Sequence, residues 1–375
     1  MVGGGPVRHA VRRAVSRAGA VRVAAIDCGT NSLRLLIADV DSRAGRLDDV
    51  DRRMEIVRLG QGVDATGRLA PEALSRTFRV LEDYASTIQR ASAGLIRMVA
   101  TSATRDAANA AEFVAGVTKI LGVAPEVLSG DEEARLSFTG ATAELARDRP
   151  GPADGPWRAA AGEPQPGAAG GPWRAAAGEP QPGAAERLPE PAPPYLVVDI
   201  GGGSTEFVVG AEEPDAARPV AALSVDIGCV RLTERHLHDD PPQPAQISAA
   251  TADIDAALDV VAAKVPVAGA RTLIGLAGSV TTVAGIALGL PGYDPARTHH
   301  AVIPAAQVHA VTAGLLGQTR EQRAAIPVMH PGRADVIGAG ALVLDRVMDR
   351  FGFAQVVVSE HDILDGIAWS LATGR

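Results

Sequence analysis

Two glycine-containing segments carry the side chains best suited to phosphate chemistry. They read Asp27-Cys-Gly29-Thr30-Asn31-Ser32 and Asp199-Ile-Gly201-Gly202-Gly203-Ser204-Thr205-Glu206. Glycine lets backbone N–H groups approach an anion closely, and Ser, Thr and Asn side chains add further hydrogen bonds. An aspartate at the end of the preceding strand can hold a divalent cation directly or through water. The pattern predicts two phosphate-binding turns with a metal beside them.

A third segment, Ser129-Gly-Asp-Glu132-Glu133, supplies a carboxylate that could activate water. Ser129 stands three residues before Glu132, the spacing of a capping box, in which Glu132 bonds back to the N–H of Ser129. Glu133 is turned about 100° further around the helix and is free to face a cleft. A carboxylate there can accept a proton from water attacking phosphorus. The alternative is a solvated first-turn glutamate, which the helix dipole favours.

Each glycine turn is predicted to join two strands. Apolar, β-rich runs at residues 21–28 and 32–40 flank the first turn, and runs at 195–200 and 205–209 flank the second. A Walker loop and a Rossmann fingerprint would instead open a helix. Ordinary hairpins also favour Asp and Gly, but the repetition of the pattern favours a phosphate clamp.

Strand and helix patterns alternate along most of the chain, which indicates α/β layers. At roughly 100–200 residues per domain, a chain of 375 residues predicts two domains. Aromatic residues make up only 3% of the chain, so aliphatic side chains must fill the core. Further helices are expected at residues 71–92, 107–121, 253–265, 333–350 and 361–371. Further strands are expected at residues 95–100, 273–276 and 354–358.

Two segments are predicted to be disordered. Residues 155–169 read GPWRAAAGEPQPGAA and residues 171–185 repeat that string, within a Pro-, Gly- and Ala-rich insert at about 147–194. A stretch without an apolar period cannot bury enough surface to fold. A partner-binding role for the duplicated tryptophan motif is the alternative. Residues 1–20 contain four arginines and no apolar run of signal-peptide length, which predicts a basic tail.

Composition argues against several classes of protein. The net charge of −8 argues against binding to duplex nucleic acid, which usually requires a basic surface. No apolar run approaches the roughly 18 residues of a membrane span. The two cysteines, Cys28 and Cys229, provide neither a disulfide framework nor a CxxC metal site, so we expect a cytoplasmic protein.

The three segments together resemble the exopolyphosphatase/guanosine pentaphosphate phosphatase (Ppx/GppA) family in its short, two-domain form. The resemblance covers about residues 21–146 and 195–375. It implies an α/β fold of two actin-like (ribonuclease H-like) domains with an interdomain phosphate cleft. We expect domain I at 21–138 and domain II at 139–354, with the final helix, about 355–375, packing back on domain I.

The resemblance also implies roles for the site residues. Glu133 would be the catalytic base, while Asp199 and Glu206 would support the metal and the attacking water. A divalent cation, Mg²⁺ or another, would be held near Asp27, Asp199 and Glu206. Arg105 would contact phosphate, although an exposed arginine at a helix start is the alternative.

Two weaker groups of candidates follow. A glycine turn at a predicted helix N-terminus, Gly278-Ser279, is a further anion site, although a packing turn explains it as well. Arg231 and Arg34 are weaker phosphate candidates. The expected phosphate-binding residues are Gly29, Thr30, Asn31, Ser32, Arg105, Gly201, Gly202, Gly203, Ser204, Thr205, Gly278 and Ser279.

The expected function is metal-assisted release of terminal phosphate from inorganic polyphosphate. Guanosine pentaphosphate is the alternative substrate, and the sequence does not separate the two. An ATP-binding kinase or chaperone of the same superfold, or a protein that binds polyphosphate without cleaving it, remain further alternatives. A homodimer is compatible with the short family members, but the sequence identifies no interface.

Overall fold

Two six-stranded sheets form the framework of the computed structural model, which describes residues 15–16, 19–143, 192–212 and 218–374. The strands of the first sheet are β1 Val15–Ser16, β2 Ala20–Cys28, β3 Ser32–Asp41, β4 Arg46–Ile56, β5 Leu95–Ala100 and β6 Glu126–Val127. The strands of the second sheet are β7 Tyr195–Ile200, β8 Thr205–Gly210, β9 Pro219–Val225, β10 Thr272–Leu276, β11 Val302–Pro304 and β12 Gln355–Val358.

The two sheets repeat one topology. The order of the first is β4-β3-β2-β5-β6, with β1 paired to β2, and the order of the second is β11-β12-β10-β7-β8-β9. In each, an antiparallel three-stranded meander adjoins a strand that runs parallel to its first member, β5 beside β2 and β10 beside β7. The mixed sheets and their helices confirm the predicted α/β class.

Helices cover both sheets. In the first part of the chain they are α1 Val63–Thr66, α2 Pro71–Ala91, α3 Ser102–Arg105, α4 Ala110–Leu121 and α5 Gly130–Thr142. In the second part they are α6 Cys229–His236, α7 Pro244–Lys264, α8 Ala277–Ala287, α9 Pro295–Thr298, α10 Ala305–Leu316, α11 Arg320–Ala324, α12 Ile337–Phe351 and α13 Ile363–Thr373. Short 3₁₀ turns occupy Val267–Gly269 and Pro331–Arg333. Buried aliphatic side chains of α2 and α4 pack on one face of the first sheet, and those of α7, α8, α10 and α12 pack on one face of the second.

Helices α5 and α13 each pack on the sheet formed by the other part of the chain. Phe138 and Ala141 of α5 share a core with β7, β8 and β10. Ile363 and Ile367 of α13 share a core with β2, β3 and β5. Helix α5 therefore runs across the predicted boundary at residues 138 and 139. The predicted extents of the two domains stay a prediction.

Helices α5 and α13 cross where each carries a glycine. A Cβ atom at Gly140 would overlap the carbonyl oxygen of Asp362, and one at Gly366 would overlap that of Leu136. We therefore expect Gly140→Ala to lower the free energy of unfolding by about 1–3 kcal/mol, because the overlap outweighs the better helix propensity of alanine. Urea denaturation measures the change. Gly269→Ala is the control, since a Cβ there meets no atom within 4 Å; equal stability of the two variants would contradict the prediction.

Several elements differ from the sequence prediction. The helix expected at 253–265 begins at Pro244, and the one expected at 333–350 begins at Ile337, after a 3₁₀ turn. Strands β4 and β9 and helix α10 were not predicted. Val15 and Ser16 pair with the start of β2, inside the expected tail. Tail residues 1–14 and 17–18, most of the insert and both tryptophan repeats lie outside the described residues. Among the described helices, none is both long enough and apolar enough to cross a bilayer.

Candidate active site

The two glycine turns have the same backbone geometry and touch each other. In the β2–β3 turn the N–H of Gly29 donates to the carbonyl of Ser32 at 3.0 Å, and in the β7–β8 turn that of Gly201 donates to Ser204 at 3.0 Å. A Cβ at Gly202 would lie 2.9 Å from the Cβ of Thr30, so glycine is required for this approach. The two halves of the fold therefore meet at the predicted phosphate turns.

Carbonyl oxygens of both turns are occupied by structural hydrogen bonds. The N–H groups of Arg58 and Gly60 donate to the carbonyls of Asn31 and Thr30, each at 2.8 Å. At the second turn the N–H of Val230, in the first turn of α6, donates to the carbonyl of Gly202 at 2.8 Å. Phosphate oxygens accept hydrogen bonds and are repelled by carbonyl oxygens. Engaging these carbonyls in hydrogen bonds within the protein therefore suits anion binding at the turns.

A cleft runs between the turns. The predicted site residues that line it are Asp27, Gly29, Thr30, Asn31, Ser32, Arg34, Glu133, Asp199, Gly201, Gly202, Ser204, Gly278 and Ser279. Four others, Gly203, Thr205, Glu206 and Arg105, lie beside the cleft and do not form its lining. Thr205 donates its hydroxyl to the carbonyl of Ile227 at 3.0 Å, which is a structural bond. The cleft brings most of the predicted residues together, while their roles stay predictions.

Glu133 reaches the cleft because its neighbour holds the helix end. Ser129 caps α5: its N–H donates to Oε2 of Glu132 at 3.0 Å, and the Glu132 N–H donates to Oγ of Ser129 at 3.3 Å, so the predicted capping box is present. Glu133 is 8% exposed and accepts a hydrogen bond from Arg105 at 3.3 Å. Burial, and then repulsion from Glu206, raise the pKa of Glu133 well above its usual range. A proton acceptor of raised pKa suits general-base catalysis.

Arg34 joins two carboxylates that line or adjoin the cleft. Its Nε and Nη2 atoms lie 3.0 and 2.7 Å from Oδ2 of Asp27, and Nη1 pairs with Asp362 at the N-terminus of α13. Asp362 also caps α13 by accepting from the N–H of Leu364 at 3.0 Å. Burial raises the pKa of Asp27, and Arg34 opposes that rise. Arg34 therefore links Asp27, beside the β2–β3 turn, to the N-terminus of α13.

The acidic pair of the second hairpin is buried and held by two serines. Asp199 and Glu206 face each other across β7 and β8. Ser137 of α5 donates to Oδ2 of Asp199 at 2.6 Å, and Ser224 of β9 donates to Oε1 of Glu206 at 2.7 Å. Burial, together with repulsion from neighbouring carboxylates, raises the pKa of Asp199 to about 6 and that of Glu206 to about 8. The buried acidic side chains lack a full complement of positive charge.

The carboxylates of the cleft suit a divalent cation whose remaining ligands come from substrate and water. Oδ1 of Asp27 is buried without a hydrogen-bond partner. Burial raises the pKa of Asp27, and repulsion from Asp27 contributes to the raised pKa of Asp199. Across the ranges that the structure describes, no group of three or more His, Cys, Asp or Glu side chains is close enough to hold a metal alone. One or two carboxylates plus phosphate oxygens are a common ligand set for a divalent cation, which matches this arrangement.

The predicted arginines occupy different positions. Arg105 donates to the carbonyl of Leu128 at 3.0 Å as well as to Glu133, so it holds the Glu133 side chain beside the end of β6. Arg231 lies outside the cleft lining and donates from Nε to the carbonyl of Gly203 at 2.7 Å, while its other nitrogens pair with Asp64 and Asp106 of the first half. Arg231 thereby fastens the second turn to the first half of the fold.

Sequence reasoning missed several residues of this region. Ser137 lies one helical turn after Glu133, a spacing that could have placed it on the same face. Ser102 shares a hydrogen bond of 2.9 Å with Thr30 and came from a segment considered only for Arg105. Arg333 lines the cleft beside Gly278, where a Cβ would overlap its guanidinium group. Neither Arg333 nor Ser224 has a local sequence signal, since each reaches the site only through the fold.

Stability should depend on pH through Glu206. Its pKa of about 8 in the folded protein exceeds the ordinary value of 4.5, so the folded protein binds more protons than the unfolded chain between those values. The resulting stability is complete at low pH and is lost as the pH rises through about 8. In buffer with EDTA, we expect the free energy of unfolding to fall by on the order of 2–4 kcal/mol between about pH 5 and pH 9, and Glu206→Gln to remove much of that fall.

Chemical denaturation at a series of pH values measures this dependence. Glu112→Gln is a matched control, because the Glu112 side chain is 61% exposed; it should keep the full pH dependence. An unchanged pH slope in Glu206→Gln would contradict the assignment.

The chain is similar to known proteins over most of its length. A profile of the Ppx/GppA phosphatase family matches residues 36–151 and 182–373. Exopolyphosphatase 2 of Mycobacterium tuberculosis is 47% identical over 362 residues, which cover 94% of this chain and 98% of that protein. The crystal structure of an exopolyphosphatase-like protein is similar at a TM-score of 0.80 and 39% identity, over 94% of this chain and 98% of that one.

A second solved structure extends the comparison. The Ppx/GppA family member of Aquifex aeolicus is similar at a TM-score of 0.69 and 26% identity, over 94% of this chain and 98% of that chain. The predicted two-domain actin-like fold is confirmed by these similarities. The chain therefore belongs to the Ppx/GppA phosphatase family.

Proposed function

We propose that this protein is an exopolyphosphatase-type phosphohydrolase that releases the terminal phosphate of inorganic polyphosphate. The observation that carries the proposal is the position of Glu133, a buried carboxylate in the wall of a cleft formed by two phosphate-type turns. The turns alone suit phosphate binding by a kinase or a binding protein as well. A carboxylate of raised pKa facing the same cleft adds a group that can take a proton from water.

In the proposed reaction, the two turns hold the end of the phosphate chain. Thr30, Gly202 and Ser204 line the cleft, and backbone N–H groups of the two turns would donate to phosphate oxygens there. Glu133 accepts a proton from water as the water oxygen forms a bond to the terminal phosphorus. The bond from that phosphorus to the bridging oxygen breaks, and the shortened chain leaves with that oxygen. Arg105 holds Glu133 in position and adds positive charge beside it.

The cation in this proposal is Mg²⁺. One or two of the carboxylates of Asp27, Asp199 and Glu206 would hold it together with phosphate oxygens and water, since no three such groups in the described ranges lie close enough to hold it alone. When bound, it would neutralise charge on the phosphate oxygens. Ser137 and Ser224 keep the acidic pair of the second hairpin oriented through hydrogen bonds of 2.6 and 2.7 Å. The raised pKa values of this pair support the proposal, because a cation would relieve the repulsion that raises them.

We also propose that residues 21–138 and 139–354 are the two domains and that they move relative to each other during turnover. Helices α5 and α13, which each pack on the sheet of the other half, cross in close contact at Gly140 and Gly366. Ion pairs from Arg231 to Asp64 and Asp106 join the halves beside the turns and would have to break for the cleft to open.

Release of phosphate from three substrates tests the proposal: long-chain polyphosphate, short-chain polyphosphate and guanosine pentaphosphate, each with and without Mg²⁺. We expect rapid release from polyphosphate that requires the cation. Release from guanosine pentaphosphate alone would identify that nucleotide as the substrate. Phosphate transfer to an added acceptor would indicate a kinase, and tight binding of polyphosphate without release would indicate a binding protein.

A further inference from the structure

Strand β4 is a long, charged edge of the first sheet. It runs for 11 residues, Arg46–Ile56, and pairs with β3 on one side; within the described part of the chain, no strand pairs with its other side. Most of its side chains are exposed, including Val50 at 44%. An unpaired edge of this length presents a row of backbone N–H and C=O groups to a second strand.

The charges of β4 are self-complementary when the strand is read against itself in reverse. In one antiparallel register, Val50 lies opposite Asp51 of a second copy. In that register, all the charged residues of β4 except Asp51 lie opposite a residue of opposite charge. The cross-copy pairs are Arg46 with Glu55, Leu47 with Met54, Asp48 with Arg53 and Asp49 with Arg52. Each pair occurs twice by symmetry. Sliding the register by two residues places Arg46 opposite Arg53 and Asp48 opposite Asp51.

A β-bulge makes this register geometrically consistent. Residues directly opposite in an antiparallel pair must point to the same face of the sheet. In a regular strand, positions 49 and 52 would point to opposite faces. In β4 the register shifts at Val50, so Asp49 lies beside Ala38 and Arg52 beside Leu36, two positions on the same face of β3. The same shift brings Asp48 and Arg53 to the other face, beside Asp39 and Leu35.

We propose that β4 is a homodimer contact, in which two copies of this chain pair their β4 strands in antiparallel fashion around a two-fold axis. The contact is isologous, as is usual in symmetric dimers, and it joins the two first sheets into one continuous sheet. Charged residues and bulges generally protect edges from pairing. Here the charges alternate in the order that favours a copy of the same strand and disfavours shifted registers.

Neighbouring ion pairs hold the charged side chains along the edge. Arg46 lies 2.9 Å from Asp48, and Arg53 lies 2.7 Å from Asp51, all on exposed or partly exposed side chains. Arg52 is anchored by Asp365 of α13 at 2.6 Å. These contacts hold the charged side chains on the two faces of the strand.

Sedimentation velocity of the full chain over a range of protein concentrations tests the proposal. We expect a monomer–dimer equilibrium. Asp48→Arg and Arg53→Asp should each weaken the dimer about tenfold or more, because each change places like charges opposite each other at two symmetric positions. The double variant D48R/R53D should restore dimerisation, since it recreates opposite charges between copies while the ion pairs within each strand stay broken. Val50→Asp, which sets a carboxylate against Asp51 of the second copy, should also weaken it.

The outcomes separate this interface from others. A wild-type chain that stays monomeric at all concentrations would overturn the proposal, and so would a dimer that neither reversal weakens or that the double reversal fails to restore. Circular dichroism and phosphate release should match the wild type in every variant, because Asp48, Val50 and Arg53 lie outside the cleft lining. The result does not depend on the proposed hydrolase activity.

Discussion

Replacing Glu133 with glutamine is expected to lower the rate of phosphate release by about 10²–10⁴-fold, the range typical of losing a general base. Glutamine keeps the size of the side chain and can still accept the hydrogen bond that Arg105 donates at 3.3 Å. It cannot accept a proton from water. The loss should therefore fall on kcat, with KM for polyphosphate changing little, because the phosphate turns are untouched.

The adjacent residue provides a matched control. Glu132→Gln makes the same chemical change one position away, at a residue whose carboxylate caps α5 through the N–H of Ser129 at 3.0 Å. Glutamine can also serve in a capping box, so we expect near-normal turnover and at most a small loss of stability. Unchanged kcat in Glu133→Gln would contradict the base assignment and favour a protein that binds polyphosphate by other means.

Replacing Arg34 with methionine is expected to lower the free energy of unfolding by about 3–5 kcal/mol, as when one partner is removed from a buried ion pair. The side chain of Arg34 is 18% exposed and the Asp27 and Asp362 side chains only 5% and 8%. Methionine fills similar space but leaves both carboxylates without their shared cation. The link between the first turn and the start of α13 would also be lost.

Arg350→Met is the control for this variant. Arg350 pairs with Asp259 at 2.8 Å, but the side chains are 42% and 69% exposed, and such surface pairs contribute about 0–1 kcal/mol. Urea denaturation of both variants, in the same buffer, measures the difference. Adding Asp27→Asn to Arg34→Met should recover part of the lost free energy of unfolding, because it removes the charge of one buried carboxylate that has no cationic partner. Equal stability of Arg34→Met and Arg350→Met would contradict the buried bridge.

Local patterns could predict the parts of the site that depend on neighbours in the sequence. The turns at Gly29 and Gly201 and the capping box at Ser129 follow from short-range geometry, because glycine and a capping serine set the backbone within a few residues. The strands around both turns were predicted for the same reason. Strand β4 was missed because its charged side chains lack the apolar alternation that marks a half-buried strand.

The sequence by itself determined that two phosphate-type turns and a capped glutamate exist, since each is specified by residues at most a few positions apart. Only the tertiary structure decided what they meet. The pairing of Arg34 with Asp362 spans 328 residues, and that of Ser137 with Asp199 spans 62. Such contacts arise because helices α5 and α13 cross between the sheets. No local sequence pattern specifies which helix packs on which sheet. The segment at Asp199 is therefore predictable as a turn, whereas its place opposite Asp27 and beside Glu133 follows from the packing of the two halves.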